Sequence, residues 1–206
     1  MMRWNSSAGD SARRRPERPR LIAAACVGLV AALAWVSPQA AQEPPSPELR
    51  ARVREALEEA NNFPDRFEAQ VWLTDMVGRL GNQVPDADLR VEILTEAHRQ
   101  AIRADLPPEM VLAVIDIESA FDPFAISSAG AQGLMQVMPF WREELGWRRL
   151  VDVQDNLVTG CTILKFYFEK EKGDWSKALA RYNGSVGSTV YSQKVLDRLA
   201  TRWYRQ

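Results

Sequence analysis

The stretch that decides the fold is MVLAVIDIESAFDP, residues Met110 to Pro123. Every residue from Met110 to Ile117 is apolar except Asp116, and a segment that is apolar on all sides predicts a buried helix. The Asp-Pro pair at the end of the stretch gives that helix a place to stop. Two acids, Asp116 and Glu118, interrupt this pattern. Because a buried carboxylate costs free energy unless it is paired or neutralised, each acid needs an explanation.

The two acids are expected to point in different directions, since residues two apart on an α-helix are separated by about 200°. Asp116 is predicted to pair with a basic residue or to cap a neighbouring backbone group. Glu118 lies where the helix leaves the core, and partial burial there raises a carboxyl pKa toward neutrality. A group with that pKa can both donate and accept a proton. Glu118 is therefore a candidate general acid/base, and the alternative is a structural ion pair.

Outward from this helix, the chain has the pattern of an all-α protein. Helical spacing of apolar residues and start signals predict helices from 47, over 64–81 and 86–101, from 108, and over 156–172, 175–183 and 191–204. No stretch shows the alternation that is typical of a strand, and no internal repeat is present. Residues 122–146 are rich in glycine, proline and small side chains, which predicts a loop that contacts a ligand or packs tightly on the core.

The N-terminal region has the layout of an export signal. Residues 1–20 carry a net charge of +4 within a chain of net charge −1, and the next sixteen, Leu21 to Val36, are uncharged. We predict a signal peptide or membrane anchor over 1–41 and a proline-rich spacer over 42–47. The alternative of a retained anchor would tether the protein to the inner membrane, although a span needs roughly 20 apolar residues. Both alternatives predict a periplasmic location.

Charge and composition also bear on nucleic acid, metals and cofactors as partners. The part of the chain after the arginine-rich start is mildly acidic, so nucleic acid is not an expected partner. The chain has two cysteines, Cys26 in the apolar segment and Cys161, and one histidine, His98. These cannot make a cysteine or histidine metal cluster, and we predict neither a metal nor another cofactor.

Three segments together resemble a known family. The sequence ESAFDPFAISSAGAQGLMQVMP, residues 118–139, resembles the signature of the soluble lytic transglycosylase (SLT) catalytic domain, which is related in fold to goose-type lysozyme. Downstream, ALARYNG (178–184) and YSQKVL (191–196) are similar to later blocks of the same family. The resemblance covers about 106–199. It implies a lysozyme-like, all-α catalytic domain over 106–206. Residues 48–105 match no block of the family, and we predict that they form accessory helices.

The resemblance implies an activity on peptidoglycan glycan strands. It implies cleavage of the β-1,4 bond between N-acetylmuramic acid and N-acetylglucosamine, with formation of a 1,6-anhydro ring. Glu118 would be the single acid/base, and Tyr182 would hydrogen-bond to this glutamate and orient it. The residues implied in substrate binding are Ser127, Gly133, Met135, Gln136 and Asn183. The alternatives are a lysozyme-like muramidase that uses water and a non-catalytic glycan-binding or scaffold protein of the cell wall.

Overall fold

The structure, a computed structural model, describes residues 46–48, 50–52, 67–145 and 149–204. The predicted export segment over 1–41 and most of the proline-rich spacer lie outside these ranges. The named helices are α1 (Phe67–Leu80), α2 (Ala87–Arg103), α3 (Pro108–Glu118), α4 (Phe140–Leu145), α5 (Val153–Lys170), α6 (Trp175–Tyr182) and α7 (Val190–Arg198). A 3₁₀ turn, Gly81–Gln83, follows α1, and a π-helical turn, Leu199–Trp203, follows α7.

The prediction of an all-α fold is confirmed for the part of the chain that the structure describes. The β-structure in these ranges consists of two isolated bridges, Ile126 with Gln132 and Gln132 with Val137, inside the loop between α3 and α4. The short helix α4 was not predicted, because its six residues lie at the end of the segment expected to be a loop. The structure therefore corrects the last part of that prediction.

Aspartates set the first residues of three helices. The side chain of Asp86 accepts hydrogen bonds from the first-turn backbone of α2, and Asp152 and Asp174 do the same for α5 and α6. Such caps satisfy N–H groups that have no partner within the helix. Because Asp152 is the cap, α5 begins at residue 153, three residues before its predicted start.

Helix α3 lies at the centre of the described part. Its residues Met110 to Ile115 are buried, and it packs against α2, α7 and the π-helical turn. Helix α5 joins the outer layer by packing against α2 and α6. A continuous hydrophobic core extends from Trp72 on α1 to Trp203 in the π-helical turn. The central position of α3 brings its last residue, Glu118, out of this core at a point bordered by α7.

None of the helices in the described ranges has the length and hydrophobicity needed to cross a bilayer.

Candidate active site

Glu118 is the last residue of α3, and it is half-buried. The protein surrounds its carboxyl group closely, and this burial raises the pKa of Glu118 from 4.5 to about 7. A hydrogen bond from Tyr191 opposes the rise, because it stabilises the ionised form. Near neutral pH both forms of the carboxyl group are therefore populated. This is the property that the sequence predicted for a general acid/base.

Tyr191 supplies the hydrogen bond to this carboxyl group. Its hydroxyl lies 2.6 Å from Oε1 of Glu118 and donates to it across 73 residues of sequence. Burial and the neighbouring Glu118 raise the pKa of Tyr191 well above its ordinary value, so the hydroxyl keeps its proton. Tyr191 lies in the first turn of α7, and the packing of α7 against α3 brings it to the end of α3. The sequence pattern predicted no role for Tyr191, although this residue begins the YSQKVL block.

Tyr182, the predicted partner of Glu118, lies in the same neighbourhood. It is buried at the end of α6, and its hydroxyl donates to the backbone carbonyl of Met135 at 2.7 Å. Burial and then the charge of Glu118 raise the pKa of Tyr182 well above its ordinary value. The structure thus places Tyr182 against the loop that follows α3, within the electrostatic influence of Glu118. Its role in orienting Glu118 stays a prediction, and Tyr191 joins it as a second tyrosine of the site.

The loop between α3 and α4 is tied directly to the end of the acid-bearing helix. Ala120 and Phe121 have positive φ angles of 51° and 66°, so the chain turns sharply just after Glu118. The hydroxyl of Ser119 donates to the carbonyls of Leu134 at 2.8 Å and Ile115 at 3.2 Å. Through these bonds Ser119 joins the end of α3 to the loop. They also fix the distance between the loop and Glu118.

Asn156 on α5 holds the middle of this loop. Its side chain is fully buried, its Oδ1 accepts from the backbone N–H of Met135 at 2.7 Å, and its Nδ2 donates to the carbonyls of Gln132 and Leu150. Gly133 has a φ of +76°, and a Cβ there would lie 2.6 Å from the carbonyl of Leu150 and even closer to Asn156. Gly133 and Met135 are thus packed on Asn156 beneath the loop surface.

Gln136 and Ser127, two other predicted binding residues, hydrogen-bond within the same loop. Gln136 is buried, and its Nε2 donates to the carbonyls of Gly133 at 3.0 Å and Ala125 at 3.2 Å. The Ser127 hydroxyl accepts from the backbone N–H of Ala131 at 3.1 Å. Both side chains therefore shape the loop, and their contact with a sugar stays a prediction. These contacts could not be predicted from the sequence, because the loop is irregular and its backbone path has no repeating pattern.

Asn183, the last predicted binding residue, follows Tyr182 directly at the end of α6. It is half-buried, and its backbone N–H donates to the carbonyl of Leu179 at 3.0 Å, which closes the helix. The structure thus brings Asn183 beside Tyr182, and its contact with substrate also stays a prediction. For metals, the described ranges contain no group of three or more His, Cys, Asp or Glu side chains arranged to hold an ion.

Comparison with known proteins identifies the domain that carries this site. The family described as the transglycosylase SLT domain matches residues 97–196, a range that includes Glu118, Tyr182 and Tyr191. The resemblance seen in the sequence is confirmed, and the matched range contains the end of α2, helices α3 to α6 and most of α7.

Several curated proteins are similar to this SLT domain. A transglycosylase of Enterobacteria phage PRD1 is 32% identical over 90 residues, 44% of this chain and 34% of the phage protein. Membrane-bound lytic murein transglycosylase F of Desulfosudis oleivorans is 33% identical over 104 residues, 46% of this chain and 23% of that protein. Membrane-bound lytic murein transglycosylase D of Escherichia coli is 32% identical over 101 residues, which are 46% of this chain and 22% of that protein. The similarity thus spans about a third or less of each relative's length.

Among solved structures, an inactive mutant of the lytic transglycosylase Slt from Pseudomonas aeruginosa is similar to this chain. The match covers 78% of this chain and 37% of that one, with a TM-score of 0.46 and 19% identity.

Proposed function

We propose that this protein is a peptidoglycan lytic transglycosylase. In this proposal it cleaves the β-1,4 bond between N-acetylmuramic acid and N-acetylglucosamine and leaves a 1,6-anhydro ring on the muramic acid. The support is the SLT domain, the naming of its relatives as lytic murein transglycosylases, and the chemistry of Glu118.

The observation that carries the proposal is a single carboxyl group with a pKa of about 7 at the end of α3. Burial raises this pKa and the Tyr191 hydrogen bond opposes the rise, and no second carboxylate of the described ranges contributes to the shift. Most glycosidases place two carboxylates around the scissile bond. Asp116, the other acid of α3, bonds to Arg198 and Arg202 instead. A lone acid/base suits a reaction in which the substrate supplies its own nucleophile.

The proposed reaction uses the same carboxyl group twice. Protonated Glu118 gives its proton to the glycosidic oxygen as the bond from that oxygen to the anomeric carbon breaks. The resulting carboxylate then takes the proton of the muramic acid 6-hydroxyl, whose oxygen bonds to the anomeric carbon. No water is consumed, and Glu118 ends protonated as it began. An intramolecular hydroxyl is already at high effective concentration, so no water has to be positioned.

Tyr191 has a defined part in this proposal. Its hydroxyl donates to Oε1 of Glu118, which holds one face of the carboxyl group. A charge-assisted hydrogen bond of this length is among the stronger ones in proteins. It limits how far burial can raise the pKa of Glu118 and so keeps the base step available near neutral pH. Tyr182 is proposed to help orient Glu118. The residues proposed to bind the sugar are Ser127, Gly133, Met135, Gln136 and Asn183.

The location and domain organisation are proposals as well. Relatives named membrane-bound lytic murein transglycosylases support a place in the cell envelope. A periplasmic domain behind a cleaved signal or a retained inner-membrane anchor over 1–41 fits the sequence pattern described above. Residues 106–206 are proposed as the catalytic domain and 48–105 as accessory helices. Since α2 packs against α3 and α5, these accessory helices would support the catalytic part through a shared core.

The test is mass analysis of fragments that the purified protein releases from peptidoglycan sacculi. Muramic acid products with 1,6-anhydro ends, lighter by one water than reducing ends, are expected. Glu118→Gln keeps the shape of the side chain and removes the acid, so it should release no fragments. Glu92→Gln is the matched control, because the same change is made at an exposed position on α2.

Other outcomes decide against the proposal in distinct ways. Reducing ends would indicate a lysozyme-like hydrolase on the same scaffold. Binding to sacculi without release would indicate a glycan-binding protein. Equal release by the wild type and by Glu118→Gln would remove Glu118 from the mechanism.

A further inference from the structure

Asp116 lies at the centre of a hydrogen-bond network behind the acid-bearing helix. Its side chain is almost fully buried and points away from Glu118, as the 200° separation requires. Oδ1 accepts from Arg198 Nη1 at 2.7 Å and from Gln83 Nε2 at 3.3 Å. Oδ2 accepts from Arg202 Nη1 and from the indole N–H of Trp203, both at 3.0 Å. Four donors from three elements thus meet on one carboxylate.

The network confirms that Asp116 pairs with basic residues and shows which elements it joins. Arg202 and Trp203 belong to the π-helical turn, whereas Arg198 is the last residue of α7. Among the described partners of Asp116, Arg198 is therefore the one that lies on the same helix as Tyr191. The guanidinium groups are partly solvated, with side chains 38% and 28% exposed, while the Asp116 side chain is 2% exposed.

Tyr191 and Arg198 lie on the same face of α7. They are seven residues apart, which places them within about 20° of each other and about 10 Å apart along the axis. Tyr191 bonds to Glu118 and Arg198 bonds to Asp116, so α7 is attached to α3 at two points two turns apart. A helix held at one end can still slide or rotate against its neighbour. A second attachment fixes both, and with them the position of the Tyr191 hydroxyl.

We propose that Asp116 and Arg198 form a positioning pair, which sets α7 against α3 so that the Tyr191 hydroxyl meets Glu118. The pair touches no substrate and acts through Tyr191. This inference rests on the proposed function for its effect on catalysis, whereas the geometric part can be measured without any activity.

The experiment compares Arg198→Met with Arg198→Lys. Methionine removes the ion pair but leaves Asp116 its bonds to Arg202, Trp203 and Gln83, so the π-helical turn keeps its attachment. Lysine keeps the charge and one donor. Arg99→Met is the matched control: Arg99 is 39% exposed and pairs at 3.1 Å with Glu96, a carboxylate side chain 9% exposed on α2. It therefore removes a similar ion pair away from α7.

The first readout is the pKa of Glu118, measured by NMR titration of its side-chain carboxyl carbon. In the described part, Tyr191 on α7 is the titratable group whose hydrogen bond shifts this pKa, and Tyr182 on α6 has its own pKa raised by the charge of Glu118. Both tyrosines keep their protons at neutral pH. Loss of the Tyr191 hydrogen bond should raise the pKa of Glu118 above about 7 in Arg198→Met and in Tyr191→Phe. Arg198→Lys and Arg99→Met should stay close to the wild type. An unchanged pKa in folded Arg198→Met would overturn the proposal.

The second readout is turnover of sacculi. Arg198→Met should lower kcat about ten-fold with KM changed by less than about two-fold, because one hydrogen bond of the reacting group is weakened and substrate contacts remain. The double variant Arg198→Met with Tyr191→Phe should be no slower than Tyr191→Phe alone, since the two act in series. Additive losses would show that Arg198 acts by another route and would overturn the proposal.

The two proposals can fail separately. A raised Glu118 pKa in Arg198→Met, together with a wild type that releases nothing from sacculi, would support the positioning pair and reject the proposed function. A wild type that produces anhydro ends, together with an unchanged Glu118 pKa and an unchanged kcat in Arg198→Met, would support the proposed function and reject the positioning pair. Asp116→Asn provides a second variant, in which both arginines lose the charge they face. It should reproduce the pKa rise seen with Arg198→Met.

Discussion

Glu118→Gln should make the protein more stable at alkaline pH than the wild type. The glutamine has nearly the same shape and can still accept a hydrogen bond from Tyr191, but it cannot ionise. In the wild type, the folded state keeps a proton on Glu118 up to a pKa of about 7, whereas the unfolded chain releases it near 4.5. Between these values the folded state binds more protons, so the stability contributed by protonated Glu118 is present below 4.5 and is lost as the pH rises through 7.

The size of the effect follows from the pKa interval. At about 1.4 kcal/mol per pH unit, a rise from 4.5 to about 7 corresponds to about 3 kcal/mol of lost stability above pH 7. The free energy of unfolding of Glu118→Gln relative to the wild type should therefore increase by up to that amount between acid and alkaline pH. Every other titrating group is common to both proteins and cancels in this difference.

Urea unfolding at about pH 4 and about pH 8.5 measures this directly by linear extrapolation. Glu92→Gln, exposed on α2, should show no pH-dependent difference from the wild type. A Glu118→Gln difference that is the same at both pH values, within about 0.5 kcal/mol, would show that Glu118 titrates normally. The argument that burial prepares this group for proton transfer would then be wrong.

Three further predictions concern the loop and its support. Gly133→Ala should lower the free energy of unfolding in urea by at least about 2 kcal/mol, because the φ angle of Gly133 is +76° and the new methyl group would meet Leu150 and Asn156. A smaller loss would mean that the loop can move. Asn156→Ala should cost about 3 kcal/mol by the same assay, since it removes the partner of the buried Met135 N–H and of the buried Leu150 carbonyl; a loss below about 1 kcal/mol would contradict this. Cys161 should resist iodoacetamide at about pH 8 until urea unfolds the protein, because burial raises the pKa of its thiol to about 12; fast labelling of the folded protein would count against that.

The central helix could be predicted because its signals are local. Proline at its start, an apolar run and an Asp-Pro stop signal lie close together in the sequence, and α3 begins at Pro108 as predicted. It ends at Glu118, four residues before Asp122, because the chain turns at Ala120 and Phe121. The separate directions of Asp116 and Glu118 follow from helix geometry alone. The family resemblance added the identity of the acid, because it rests on residue types in order along the chain.

The contacts of the site could not be predicted, because they join distant parts of the sequence. Tyr191 and Tyr182 both lie in the neighbourhood of Glu118. Which hydroxyl reaches which acceptor is decided by the packing of α7 on α3 and of α6 on α5 and α7. Asn156 is another example: its amide bonds to three backbone groups of a loop that is irregular and has no periodicity. The six residues of α4 were missed for a related reason, since so short a helix has no repeated pattern.

The contrast between the two acids of α3 shows how one helix can give two carboxyl groups opposite properties. Asp116 faces two arginines, an indole N–H and an amide, so its charge is matched where it is buried. Glu118 has one neutral donor, Tyr191, which is too little to offset burial, and its pKa rises to about 7. Both arrangements depend on α7, which provides Tyr191 at its start and Arg198 at its end. A change that shifts this helix should therefore alter the Glu118 carboxyl group even when it leaves every residue around the loop in place.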